Sequence, residues 1–187
     1  MDKFIRYFSR NRIKTSFTFG ALVFLIARPE AASFMAGIPF ILLGALMRTW
    51  ASGHIRKNSM LATGGPYRYT RNALYVGNFL AGLGFSIVSG RFFLVPAFII
   101  GFLILYDRTI KNEEEYLATR FGDEYRDYVA RTNRFFPWIP KFPDTGEPFS
   151  WPLVTKHREY NTWLGILAIL VLFYLEMIIK AGMAGTG

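Results

Sequence analysis

The 187-residue chain contains no cysteine, which excludes disulfides, a zinc–thiolate centre and a cysteine nucleophile. Histidine is almost as scarce: His54 and His157 are the only two, too few to support a metal site unaided. Acidic residues are also in deficit, 13 Asp and Glu against 22 Lys and Arg, and the resulting charge of +9 points to an anionic partner, nucleic acid or a lipid surface. No strand-like alternation is long enough to suggest a sheet, and neither an internal repeat nor a low-complexity tract is present.

What the chain has in excess is apolar surface. It is 52% hydrophobic and 18% aromatic, with a mean hydropathy of +0.23, more than a soluble domain of this size can readily bury. The excess is concentrated in five stretches: residues 15–27, 33–50, 73–90, 92–110 and 163–179. At 1.5 Å per residue, 73–90 covers about 27 Å, nearly a hydrocarbon core, whereas 15–27 covers only about 20 Å. That first stretch must borrow flanking residues or form a shallow hairpin with the second. No small-residue cleavage site follows it, so a cleaved signal peptide is not expected.

The cations flank these stretches, which favours lipid over nucleic acid. Nineteen of the 22 fall before the first stretch, at or between the second and third, or within 107–160; only Arg28, Arg91 and Lys180 lie at the opposite boundary. The positive-inside rule then puts the N-terminus, the 52–72 loop and the 111–160 block in the cytoplasm and the C-terminus outside. Within that block, Tyr116, Leu117, Phe121, Tyr125, Tyr128 and Val129 recur at helical spacing and predict an amphipathic helix with a bend near Gly122. The run Phe135-Phe136-Pro137-Trp138-Ile139-Pro140 ends it, and 141–160 reads as a polar connector. The expectation is an all-α integral membrane protein with about five transmembrane helices and a cytoplasmic amphipathic helix after the fourth. One domain would cover 1–187, its motif-bearing part about 45–140.

Two polar blocks stand at membrane exits. The first reads Leu61-Ala62-Thr63-Gly64-Gly65-Pro66-Tyr67 and continues as Arg71-Asn72-Ala73-Leu74-Tyr75-Val76-Gly77; the second reads Glu113-Glu114-Glu115-Tyr116-Leu117 and then Phe121-Gly122-Asp123-Glu124-Tyr125 with Tyr128. The glycines and proline of the first force a tight turn that leaves backbone groups free, and its tyrosines offer aromatic faces and hydroxyls to a sulfonium or an adenine. Arg71, or a helix N-terminus near Asn72, can hold a carboxylate, and Glu113 can take an ammonium. Taken alone, the first block also fits a juxtamembrane turn with belt tyrosines.

In this order and around this hydrophobic hairpin, the two blocks resemble the isoprenylcysteine carboxyl methyltransferase and phospholipid methyltransferase family, integral membrane enzymes that use S-adenosylmethionine. The resemblance covers roughly residues 45–140. It implies cofactor contacts at Ser59, Leu61, Ala62, Gly65, Tyr67, Arg71, Asn72, Tyr75 and Glu113. Two departures matter: the family's His-Pro is Asn72-Ala73 here, and its substrate-associated arginine is matched by Thr109, leaving Arg108 or Lys111 as candidate substrate contacts. No catalytic side chain is assigned. The implied function is methyl transfer to a membrane-embedded lipid-like or isoprenoid acceptor, with carboxyl O-methylation favoured because a carboxylate is already ionised and needs no base. Phospholipid N-methylation is the first alternative; an NADPH-dependent sterol-reductase-like enzyme and a non-enzymatic lipid-binding protein follow.

The remaining conspicuous residues have plainer readings. His54 is expected in an exposed loop and His157, outside the resemblance, is given no role; Glu176 and Lys180 are expected to form a helix-end ion pair at i,i+4. Glu115 and Asp127 belong to the solvated face of the amphipathic helix. Neither metal nor nucleic acid is expected as a partner, and the sequence leaves the oligomeric state open.

Overall fold

The structure is a computed structural model that describes residues 20–56, 59–139 and 148–184, Leu22 excepted. The described residues form helices and no strand. In chain order they are α1 (Ala31–Ser52), a 3₁₀ turn (Gly65–Arg68), α2 (Ala73–Val88), α3 (Leu94–Arg131), α4 (Trp151–Lys156) and α5 (Tyr160–Ala184). A short helical segment also occupies residues around 20–26. Residues 15–19 and 22 of the first apolar stretch, the N-terminal cations and the 140–147 segment lie outside the described residues.

Local chemistry sets the helix boundaries. At the start of α1 the Ser33 hydroxyl donates to the Glu30 carbonyl at 3.0 Å and receives the Glu30 amide at 3.1 Å, satisfying groups the first turn leaves open. The Asn72 carbonyl accepts the amides of Tyr75 and Val76 and so opens α2. Beyond α2, Gly90 has φ +67°, and a Cβ there would stand 2.0 Å from the Arg28 carbonyl oxygen. Only glycine fits that position, on both counts.

Helix α3 differs from the expected span followed by a separate amphipathic helix. It runs without interruption past Ile110 and breaks only at Gly122 (φ 53°, ψ −120°). A Cβ at Gly122 would meet nothing within 4 Å, so backbone conformation alone selects glycine there. The bend falls where the sequence put it. The connector, by contrast, is not featureless: Trp151–Lys156 forms α4.

Two of the helices, α1 and Tyr160–Met183 of α5, are long and apolar enough to cross a membrane; α2, with 16 residues, is shorter. Only 11% of the most apolar window of α5 is covered by protein, and Leu164, Leu167, Leu172 and Ile179 all stand exposed. An apolar helix with so little protein cover suits a lipid environment.

The chain divides into two compact units. The first comprises the described parts of Met1–Leu42, Leu80–Arg108 and Leu164–Gly187. Inside it α1 and α2 approach backbone to backbone: a Cβ at Gly37 would lie 2.5 Å from the Gly84 carbonyl oxygen, and one at Gly84 would lie 2.7 Å from that of Gly37. Small residues permit such contacts where apolar burial gives little drive between helices. Phe173 packs against Phe24 and Phe85, and Lys180 pairs with Glu176 while donating to the Ala27 carbonyl at 2.7 Å. The second unit, Leu43–Phe79 with Thr109–Trp163, holds both motifs. Its core is Ala51, Leu61, Tyr67, Ala73, Tyr125 and Tyr128.

Candidate functional site

Everything in this site belongs to the second unit. The first motif is held by the second through Glu114. One carboxylate oxygen accepts from Arg71 Nε (3.3 Å), Arg71 Nη2 (3.2 Å) and Asn72 Nδ2 (3.3 Å), and the other accepts from Arg134 Nε at 3.1 Å. Arg71 also donates through Nη1 to the carbonyls of Thr132 (2.5 Å) and Val129 (3.2 Å), which α3 leaves unsatisfied at its C-terminus. Residues 69–72 are tied further to the chain beyond α3: Arg71 N to the Asn133 carbonyl, Asn72 Nδ2 to that of Arg134, Thr70 Oγ1 to that of Phe135, and Trp138 N to the Tyr69 carbonyl.

The 3₁₀ turn sits on this brace. Gly65 has φ +54°, and a Cβ there would stand 2.5 Å from two atoms of the His54 ring. The sequence reading placed His54 in an exposed loop; it is 5% exposed, with Nδ1 2.9 Å from the Trp50 carbonyl, because the turn packs onto it. The turn also leaves fewer backbone groups free than expected. The Tyr67 amide donates to the Gly64 carbonyl and that of Tyr69 to Pro66, as 3₁₀ winding dictates, and the Thr70 amide also reaches the Pro66 carbonyl. Tyr67 is buried, and its carbonyl accepts the Tyr128 hydroxyl at 2.7 Å.

One polar contact joins the two motifs at an exposed position. Tyr75 donates its hydroxyl to Glu113 at 2.8 Å, across 38 residues of sequence. The Glu113 side chain stands exposed, whereas that of Glu114 is only 19% exposed. Burial, and after it Tyr128 and the Glu113 carboxylate, push the Tyr67 phenol well above the ordinary tyrosine range, with Arg48 acting the other way. Tyr67 is therefore a neutral hydroxyl at physiological pH. Tyr125 is raised to about 12 by burial and then by Glu114. Its hydroxyl is buried near Arg71 without meeting hydrogen-bond geometry.

A second polar cluster lies where α1, α2 and α5 meet within this unit. Arg48 grips Glu159 through Nε (2.7 Å) and Nη2 (3.0 Å), donates to Thr162 Oγ1 at 3.2 Å, and reaches Asn78 Oδ1. Glu159 is 4% exposed. A two-pronged arginine–carboxylate pair of this kind fixes orientation as well as supplying charge. Gly77 makes the approach possible, since a Cβ there would lie 2.8 Å from the Gly44 carbonyl oxygen.

The residues singled out from sequence fall into distinct environments. Leu61 is buried in the core, with Ala62 packed against it; Ser59 is exposed and bonds the Arg56 carbonyl. Both Nδ2 hydrogens of Asn72 are engaged inside the protein, which leaves an acceptor, Oδ1. An acceptor suits an ammonium or an amine, not a carboxylate. Arg71 has its Nε, Nη1 and Nη2 all engaged. Lys111 is exposed two residues before Glu113, about 200° away around the helix, and Arg108 belongs to the first unit. Glu114, Arg134, Arg48 and Glu159 received no role from sequence. The signal for Glu114 was its place in the second motif; the others read as ordinary boundary charges. Among the described residues no group of three or more His, Asp or Glu side chains could hold a metal ion.

The sequence model of the phospholipid methyltransferase family matches residues 32–124, a span containing the turn, Tyr75 and Glu113. The cobalt-zinc-cadmium resistance protein CzcN of Cupriavidus metallidurans is 34% identical over 103 residues, 54% of this chain and 47% of that protein. The nickel-cobalt-cadmium resistance protein NccN of Alcaligenes xylosoxydans xylosoxydans is 32% identical over 115 residues, covering 60% and 54%. Protein-S-isoprenylcysteine O-methyltransferase of Schizosaccharomyces pombe is 29% identical over 124 residues, covering 63% and 52%. The chain thus spans about half the length of the curated relatives it matches. Taken with the paired motifs, these matches identify the chain as a member of the isoprenylcysteine carboxyl methyltransferase and phospholipid methyltransferase family.

Proposed function

We propose that this protein is an S-adenosylmethionine-dependent methyltransferase acting on a membrane-embedded, lipid-like or isoprenoid acceptor, with carboxyl O-methylation as the reaction. The observation that carries the proposal is the Tyr75–Glu113 hydrogen bond beside the glycine turn. It joins an exposed carboxylate to an aromatic ring, the chemistry a sulfonium-bearing amino acid requires.

The residues present fit that cofactor. Glu113 has acceptor capacity left for an ammonium group, Tyr75 offers a ring face to a sulfonium while Tyr67 is buried in the core, and Asn72 Oδ1 offers an acceptor to an amine. In this reading Arg71 and Asn72 serve mainly to hold the turn in place. Gly65 lets the turn close on His54, while Leu61 and Ala62 supply apolar walls and Ser59 a hydroxyl near its entry. Bound S-adenosylmethionine would supply an electrophilic methyl group. The protein's own tasks are alignment and exclusion of water.

A carboxylate acceptor is ionised at neutral pH and needs no base. An amine acceptor must lose a proton, and the buried Tyr67, held neutral, is a poor recipient for one. The names of the isoprenylcysteine O-methyltransferase relatives support the same choice. Phospholipid N-methylation is the second reading, favoured by the family description itself. The proposal includes the full topology: five spans, N-terminus and site cytoplasmic, C-terminus outside, with Lys111 of the second unit reaching the acceptor.

Equilibrium binding to detergent-purified protein tests the cofactor: S-adenosylmethionine should bind and NADPH should not, and the reverse would move the protein to a reductase reading. Binding of neither would leave a lipid-binding protein. The acceptor is tested by the single-turnover rate between pH 6 and pH 9 at saturating methyl donor. A carboxylate predicts a nearly flat profile and a base-labile methyl ester; an amine predicts about a tenfold rise per pH unit and a base-stable product.

A further inference from the structure

Helix α2 is apolar but for Tyr75, Asn78 and Ser86, and the structure accounts for two of these. Ser86 donates to the Gly82 carbonyl at 2.9 Å, and Tyr75 donates to Glu113 at 2.8 Å. Asn78 differs. Arg48 Nη1 donates to its Oδ1, and because a guanidinium offers donors alone, this bond sets which end of the amide is oxygen and directs the NH₂ elsewhere. The two Nδ2 hydrogens meet no acceptor among the described residues. Unused donors on an apolar helix are costly, so they call for an acceptor from outside the chain.

The amide is held in this orientation by groups that are themselves fixed. Arg48 is gripped by Glu159 and by Thr162 Oγ1, and Trp163 Nε1 donates to the neighbouring Thr49 Oγ1 at 2.9 Å. Arg48 has no charge to spare, since the buried Glu159 carboxylate balances it. What the cluster presents is therefore a neutral donor.

Its place relates that donor to the Tyr75–Glu113 pair. Tyr75 and Asn78 are three residues apart on α2, about 60° around the helix and about 4.5 Å along it. Tyr67 relates them from another direction: burial first, then Tyr128, Glu113, Arg48 and Glu159 act on its phenol. Both pairs thus lie within electrostatic reach of one buried hydroxyl.

We infer that the Asn78 NH₂ holds the carboxylate of the methyl acceptor, donating to the oxygen that does not react, and so selects an acid as substrate. This rests on the carboxylate reading of the reaction. A neutral amide orients the group without neutralising it, and the second oxygen stays nucleophilic. That oxygen attacks the methyl carbon as the S–CH₃ bond breaks, the bonding pair remains on sulfur, and a methyl ester and a thioether form with no proton transferred. An amine has one lone pair, which the attack itself uses, and offers the amide nothing to bind. Lys111 stays available to another part of the acceptor.

The test uses the full chain in detergent with radiolabelled S-adenosylmethionine and a total membrane lipid extract as acceptor. Asn78→Asp keeps an oxygen for Arg48 but replaces both N–H donors with a charge that repels a carboxylate. It should raise the extract concentration for half-maximal formation of base-labile methyl ester by about tenfold or more, while S-adenosylmethionine affinity, read by equilibrium binding, stays at the wild-type value. Asn161→Asp adds the same charge at an exposed position two residues from Glu159 and should leave half-saturation unchanged. If thermal unfolding shows Asn78→Asp unfolded, Asn78→Ala, which adds no charge, makes the same comparison. Wild-type half-saturation in the Asn78 variant, an equal rise in Asn161→Asp, or weakened S-adenosylmethionine binding in the Asn78 variant would each overturn the Asn78 assignment alone. A base-stable product from wild-type protein, or none, would overturn the carboxylate reading beneath it.

Discussion

Glu113 and Glu114 are adjacent, yet the structure gives them opposite work, so replacing each with glutamine should separate stability from binding. Glu114 accepts four hydrogen bonds from three side chains, at 3.1–3.3 Å. Breaking a fully buried ion pair costs about 3–5 kcal/mol and an exposed one about 0–1. Glu114 is 19% exposed, Arg71 12% and Arg134 36%, and the contacts are longer than the tightest charge-assisted bonds. Glu114→Gln should therefore cost about 2 kcal/mol: an amide oxygen can still receive Arg71 or Asn72, but its NH₂ then confronts Arg134 donor to donor. For a chain of this size that lowers the unfolding midpoint by about 4–8 °C.

Glu113→Gln, at an exposed position with one bond to Tyr75, should change stability by less than about 0.5 kcal/mol. Its effect should appear in S-adenosylmethionine binding, weakened about ten- to a hundredfold by loss of a charge-assisted bond. Calorimetric unfolding and equilibrium binding on the same preparations make the comparison. An unfolding midpoint unchanged in Glu114→Gln would refute the brace, and wild-type affinity in Glu113→Gln would refute the cofactor assignment.

Gly65→Ala should destabilise by at least about 1–3 kcal/mol, since it adds a Cβ at positive φ and forces it against His54; adding His54→Ala should recover only the steric part, as measured by thermal unfolding. Alkaline unfolding tests the buried tyrosines. Tyr125 titrates at about 12 in the fold and near 10 when unfolded, so between those values the native state holds a proton the unfolded state has lost. Stability should thus be level below about pH 9 and fall above pH 10 by up to about 1.4 kcal/mol per pH unit per tyrosine. Tyr125→Phe, which removes a hydroxyl lacking hydrogen-bond geometry, should make the decline shallower at little cost near pH 7. Arg48→Ala strands the buried Glu159 carboxylate and should cost about 3–5 kcal/mol, whereas Arg48→Met with Glu159→Leu should recover much of it. If the double variant is no more stable than the single one, the stranded charge is not the cause.

Hydrophobic run length and turn chemistry act locally, and features that depend on them were legible in the sequence. The apolar stretches 33–50, 73–90 and 163–179 lie inside α1, inside and just beyond α2, and inside α5, and the bend at Gly122 needs no tertiary contact to explain it. The Glu176–Lys180 pair follows from helical periodicity alone. The motifs, too, were visible as ordered blocks of residue types. Continuation of α3 past Ile110 was not legible, because the change from apolar to charged residues there alters a helix's surroundings without ending the helix.

Tertiary structure decided which member of each block does what. Sequence presents Glu113 and Glu114 as equivalent carboxylates; the approach of 69–72 to the chain beyond α3 buries one among Arg71, Asn72 and Arg134 and leaves the other exposed to Tyr75. It also turned His54 from a loop residue into the surface on which Gly65 closes, and joined Arg48 to Glu159 across 111 residues. The physical reason is the same in each case. Residue type fixes what a side chain can donate, accept or bury, but long-range contacts fix which partners remain to it.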